Sequence, residues 1–143
     1  MWMSDFLLDT NVISEWTKPA PNPGVVRWLE EVDEDRVRVS VASFAEISHG
    51  VERLADSARG ERLQSWLEQE LPERFEGRIL DIDRAVAERW GVVVAGAQRA
   101  GRGLSTMDAF FAATALQHGL ALVTRNSAHF QDLGLTLLNP WSS

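Results

Sequence analysis

The chain has 143 residues, 45% of them hydrophobic, and a formal charge of −7 from 21 acidic and 14 basic side chains. That length suits one globular domain, residues 1 to 143, able to bury roughly 70% of its unfolded surface. The absence of cysteine excludes disulfides and thiolate metal sites, and the acidic balance disfavours any protein that holds nucleic acid by phosphate neutralisation alone.

The N-terminus carries Asp5 and Asp9 and lacks the basic segment and apolar core of a secretion signal. No run of eighteen apolar residues follows, so neither export nor membrane insertion is expected and the cytoplasm is the default location. An apolar run over residues 5 to 9 reads as the first strand, and a short helix is expected over 11 to 16. TKPAPNPG, residues 17 to 24, must be a loop between helices. Its Lys18 is the only lysine, and it is badly placed to serve a P-loop or a receiver-domain phosphate site. A helix is expected over 24 to 33, a strand over 37 to 42, and helices over 44 to 55 and 59 to 71, the last stopped by Pro72. Then come a strand over 79 to 82, helices over 84 to 100 and 106 to 118, and strands over 120 to 124 and 135 to 138. Gly101, Gly103 and Gly119 close the later helices. Strand alternating with helix predicts an α/β fold with a mainly parallel five-stranded sheet covered on both faces.

Three carboxylates stand out against that pattern. Asp9 follows strand one, Glu46 lies just beyond strand two, and Asp108 heads the helix that leads into strand four. Each has a plain reading as a helix cap or a partner for the helix dipole: Ser43 with Glu46, and Ser105 with Asp108, both have capping-box spacing. In a parallel sheet, however, all three belong to the carboxyl edge, where ligands bind in open α/β folds. At about 5 Å apart, each pair would repel by ~3 kcal/mol at an effective dielectric of 20. Helix dipoles offset only about 0.3 to 1 kcal/mol per acid. Protonation or a cation must supply the rest, and oxygen-only ligands without His or Cys select a hard ion such as Mg²⁺ or Mn²⁺. The chemistry that follows is attack of a metal-activated water on a phosphodiester.

DTNVISE at 9 to 15, AEISHGVERL at 45 to 54, STMDAFFAATALQHGL at 105 to 120, VTRN at 123 to 126 and NPW at 139 to 141 together resemble a PIN-domain ribonuclease. The resemblance is to the VapC-like toxins of type II toxin–antitoxin pairs, including the FitB-like branch, and it runs from residue 5 to Trp141. It implies a three-layer α/β/α sandwich, a divalent-metal-dependent endoribonuclease acting on RNA, a homodimer, and a VapB-like antitoxin in the active-site groove. Asp9, Glu46 and Asp108 match the family's metal-binding acids. Thr10, Asn11, Thr124 and Arg125 are the residues expected to line the substrate side, with plain capping roles equally open for Thr10 and Asn11.

The sequence departs from the family near strand four. Relatives often carry a fourth acid there, whereas TRNSAHF places Asn126 and His129 at the two candidate positions. Asn126 can still reach a metal or its water through the amide oxygen, so a weaker second-metal site is expected. A rival reading follows: an interaction protein that keeps the fold, binds an antitoxin and with it operator DNA, and has lost useful catalysis. An aspartyl-nucleophile phosphatase is disfavoured because DTNV lacks a second Asp two residues after Asp9.

Other residues have simpler readings. Arg99 and Arg102 flank the proposed edge but read equally well as surface arginines, and in DID, residues 81 to 83, a strand-end Asp81 and a capping Asp83 suffice. His49 and His118 do not look like catalytic bases. Trp2, Trp28, Trp66 and Trp90 are expected to anchor helix packing or a subunit contact. The alternation of apolar and charged positions over 44 to 71 is compatible with a groove for an amphipathic partner segment.

Overall fold

A computed structural model describes residues 4–54 and 56–142. Among them, five strands form one sheet in the order β3-β2-β1-β4-β5, and every pairing is parallel. Trp2, and the Ala55 end of the helix expected over 44 to 55, lie outside the described residues.

The central strand β1 (Phe6–Leu8) passes through Asp9 into α1 (Thr10–Trp16). Asn22 closes the proline-rich loop, its Oδ1 accepting from the amides of Gly24 and Val25. Pro23 then takes the first position of α2 (Pro23–Glu31), where a missing N–H costs nothing. A 3₁₀ turn over Glu34–Arg36, not expected from the sequence, leads into β2 (Val37–Ser40).

β2 runs without a loop into α3 (Val41–Arg53), and this overturns the capping-box reading of Ser43 and Glu46. Ser40 is the cap, its hydroxyl accepting from the Ala42 amide at 3.0 Å. Ser43 therefore sits inside the first turn and is fully buried. A second correction concerns Pro72. The helix α4 (Ala58–Ser65) widens into a π turn over Trp66–Glu70 and resumes as α5 (Leu71–Arg74), so the helical path continues through the proline. The π turn is what permits it, because Pro72 falls at the start of a fresh segment where its amide is not needed.

The two-residue β3 (Ile79–Leu80) precedes α6 (Arg84–Arg99), which Asp83 caps by accepting from the Val86 amide at 3.0 Å. Ser105 likewise caps α7 (Thr106–His118), accepting from the Asp108 amide at 3.1 Å. Gly119, at φ +65°, supplies the left-handed residue that turns α7 into β4 (Ala121–Val123). A 3₁₀ turn, Ser127–Phe130, then leads to β5 (Leu137–Leu138).

The sheet is apolar on both faces, as a parallel sheet between helical layers must be. Leu8, Val39 and Val123 pack against α1, α2, α3 and the α4–α5 path; Leu7 and Leu122 point the other way, toward α6 and α7. α7 is apolar nearly all round, and Ala109, Ala112 and Ala113 let it lie close between the sheet and α6. Trp28 stacks edge-on against Phe6 at 5.3 Å, and Trp90 packs on Phe110 at 5.5 Å, both in helix packing. Trp66 packs at the margin of the first core. At the amino end of β1, Asp5 receives Arg36 at 3.2 Å and Arg38 at 2.6 Å, which ties β1 to β2. Among the described residues no helix is long and apolar enough to cross a membrane.

Candidate active site

The strand order creates the site. From β1 the chain builds outward to β2 and β3 on one side, then returns to place β4 and β5 on the other. The connections thus diverge between β1 and β4, and a crevice opens beyond their carboxyl ends. Asp9 stands at the end of β1 and Thr124 at the end of β4, and both are buried.

These two residues meet across the crevice. The Asp9 amide donates to the Val123 carbonyl at 2.9 Å, extending the ladder by one bond. Thr124 Oγ1 donates to Asp9 Oδ2 at 2.8 Å and itself accepts from the Asn126 amide at 3.0 Å. Asn11 Nδ2 lies within reach of both Asp9 Oδ2 at 3.3 Å and Thr124 Oγ1 at 3.4 Å, while its Oδ1 accepts from the Arg125 amide at 3.2 Å. Asp9 occupies the cap position of α1, yet its side chain makes no helix-capping hydrogen bond. The carboxylate faces the crevice residues instead.

Glu46 joins through Thr10, whose Oγ1 donates to Glu46 Oε1 at 2.5 Å and lies 2.9 Å from Ser43 Oγ. Thr10 has one hydroxyl proton and gives it to Glu46, so Ser43 must be the donor to Thr10. Sequence reasoning missed this role. The signal that could have found it is a second serine at residue 40, which leaves Ser43 free of capping.

Asp108, in the first turn of α7, has a side chain one quarter exposed, and its Oδ2 lies 3.4 Å from His129 Nδ1. The Asn126 side chain is exposed and caps nothing, although its carbonyl accepts from the His129 amide at 2.9 Å.

Asp9 has its pKa raised from 3.8 to about 6. Burial is the main cause; the Thr124 hydroxyl and the Thr10 amide pull it back, and the charges of Asp108 and Glu46 push it up again. Asp9 therefore lies in the fields of both Glu46 and Asp108. Among the described residues, though, no three Asp, Glu, His or Cys side chains are gathered closely enough to ligate a single ion as they stand. Glu46 and Asp108 are engaged with Thr10 and His129 respectively.

The rim carries the positive charge. Arg125 is exposed, with its guanidinium 5.5 Å from the Trp141 ring. The NPW segment holds that loop: Asn139 Nδ2 donates to the Arg125 carbonyl at 3.1 Å, and the Trp141 amide donates to Asn139 Oδ1 at 2.9 Å. Glu15, an acid buried in α1 with no motif around it to mark it out, has a lowered pKa. The Lys18 ammonium at 2.8 Å is the chief cause, outweighing desolvation, with the Asn22 amide and the Arg125 charge helping. Arg102 is committed to structure, donating to the carbonyls of Ala128 and Gln131, whereas Arg99 is exposed. Beyond the far end of α1 lies a groove of about 850 Å³ between Trp16, Trp66 and Leu71, edged by Arg59, Arg62 and Arg74.

A parallel α/β/α sandwich with an acid at the β1 end of its topological switch defines a class of proteins, and the chain belongs to the PIN domain family, whose pattern matches residues 6–134. It is 38% identical over 135 residues to Toxin FitB of Neisseria gonorrhoeae, covering 94% of this chain and 97% of that protein. It is 32% identical to VapC ribonuclease Y4jK of Sinorhizobium fredii, covering 94% and 96%. Among solved structures, FitAcB from Neisseria gonorrhoeae superposes with a TM-score of 0.90 at 37% identity, covering 96% of this chain and 99% of that one.

Proposed function

We propose that this chain, as a single PIN domain, is the toxin of a type II toxin–antitoxin pair and a divalent-metal-dependent endoribonuclease that hydrolyses RNA phosphodiester bonds. The observation that carries this reading is Asp9, a buried carboxylate whose ionised form is under-stabilised and lies within the fields of two further acids. A hard cation would relieve both burial and repulsion, and a set of carboxylate and amide oxygens suits Mg²⁺ or Mn²⁺. Asp9, Glu46 and Asp108 would hold it, with the Asn126 amide oxygen completing the set. When bound, the ion supplies an activated water and stabilises negative charge on the phosphate.

The remaining residues work on those ligands. Thr124 and Asn11 both address Asp9 Oδ2, which fixes the carboxylate that would hold the cation. Thr10, held by Ser43, orients Glu46. Arg125 meets the RNA phosphate and gives this acidic protein the local positive charge it lacks overall. The groove between α1 and the α4–α5 path, with two tryptophans and three arginines, fits an amphipathic segment of a VapB-like antitoxin. A homodimer and a cytoplasmic setting complete the reading.

The absence of a ready three-ligand cluster among the described residues, together with Asn126 and His129 at the β4 end, favours one rival. It is a catalytically weakened PIN-fold protein that binds an antitoxin and, with it, operator DNA. Digestion of total RNA across a Mg²⁺ and Mn²⁺ titration, with cut sites mapped, separates the two. Cation-dependent cleavage that disappears in Asp9→Asn supports the nuclease; RNA left intact at every cation concentration supports the rival.

A further inference from the structure

We propose that His129 is a nitrogen ligand of the active-site cation, which makes the site prefer a transition ion such as Mn²⁺ over Mg²⁺. This rests on the metal-dependent reading above and adds to it a further ligand and the ion that results.

The geometry is that of two neighbouring ligands. Donors held about 2.1 Å from one ion at a right angle lie about 3.0 Å apart. His129 Nδ1 and Asp108 Oδ2 are 3.4 Å apart, so a small closing movement brings both onto one ion. As an ion pair alone the contact has little value, because the His129 side chain is 58% exposed and screened by water.

The turn that presents His129 is nevertheless held firmly. Phe130 beside it is fully buried in the second core. Arg102 crosses from the end of α6 to donate to the Ala128 carbonyl at 2.9 Å and the Gln131 carbonyl at 2.6 Å, and pairs with Asp132 at 3.2 Å. The His129 amide is tied to the Asn126 carbonyl. The turn thus fixes where the His129 side chain begins, and its imidazole reaches Asp108, whose charge in turn acts on the buried Asp9. Mg²⁺ favours oxygen and keeps its waters, whereas imidazole suits transition ions.

The test uses the full chain with Mn²⁺ and Mg²⁺ as probes, by calorimetry and by electron spin-echo spectroscopy of the Mn²⁺ complex. Wild type should bind Mn²⁺ roughly tenfold or more tightly than Mg²⁺ and show ¹⁴N coupling from a bound imidazole. His129→Ala should lose the coupling and bring the two affinities toward parity with its circular dichroism unchanged; His129→Asp should recover Mg²⁺ affinity. Mn²⁺ binding that Asp9→Asn abolishes, but with no ¹⁴N coupling in wild type, would overturn this proposal and leave the active-site reading standing. Mn²⁺ binding indifferent to Asp9→Asn, or no saturable binding at all, would overturn both.

Discussion

Asp9→Asn should make the metal-free protein more stable at pH 8. Asp9 is 6% exposed, and its pKa is raised from 3.8 to about 6, first by burial and further by the charges of Asp108 and Glu46. The folded state therefore holds the Asp9 proton more tightly than the unfolded chain does. A group of this kind lowers stability as pH rises from its unfolded value through its folded one, here from near 4 to above 6. At about 1.4 kcal/mol per pH unit, the destabilisation above pH 7 approaches 3 kcal/mol. Asn removes the charge while its amide oxygen, placed at the Oδ2 position, can still accept from Thr124 and Asn11. Urea unfolding of both proteins in EDTA, from pH 4 to pH 8, should show the variant ahead by about 2 to 3 kcal/mol at pH 8 and no advantage near pH 4. Mn²⁺ at roughly 1,000 times its Kd should then reverse the order, since it adds about 4.1 kcal/mol to wild type alone. A variant no more stable than wild type at pH 8 would refute the claim that Asp9 is ionised at a cost in this crevice.

Three further expectations concern the scaffold. Thr124→Val removes the hydroxyl that donates to Asp9 and accepts from the Asn126 amide, and should lower the unfolding free energy by about 2 kcal/mol at pH 8. Denaturation with EDTA present checks this independently of any cation. Gly60→Ala should destabilise by about 2 kcal/mol or more, because a Cβ there would stand 2.2 Å from the Leu54 carbonyl oxygen, which is backbone and cannot turn aside. Gly50→Ala is its counterpart: within α3 and with nothing within 4 Å of a new Cβ, it should raise stability by roughly 0.5 to 1 kcal/mol in the same assay.

The strands and most helices were legible in the sequence because hydrophobic periodicity and capping chemistry agreed over 6 to 8, 84 to 99 and 106 to 118. Ser105, Asp83 and Gly119 do what their residue types predict. Legibility failed where two local signals competed. Ser40 and Ser43 both precede apolar helical positions, and only the direct passage from β2 into α3 decides that Ser40 caps and Ser43 supports Thr10. Pro72 reads as a stop, but the π turn before it, set by packing of Leu67 and Leu71 in the core, lets the path continue. At the candidate site, the sequence singled out the acids as candidates but not how they are held. The Thr124 contact joins residues 115 positions apart, and the His129 contact depends on a turn anchored by Phe130 and Arg102. Glu15 escaped notice because its partners, Lys18 and the Asn22 amide, lie in a loop whose composition says only that it bends.

The central claim is that Asp9, Glu46 and Asp108 serve one cation between them. Calorimetric titration of Mn²⁺ into wild type and into Asp9→Asn, Glu46→Gln and Asp108→Asn tests it most directly. The account predicts a single saturable site in wild type that every one of the three substitutions weakens, with no pair of substitutions costing the full sum of its members. Three substitutions that leave the affinity untouched, or that abolish separate sites one by one, would contradict it.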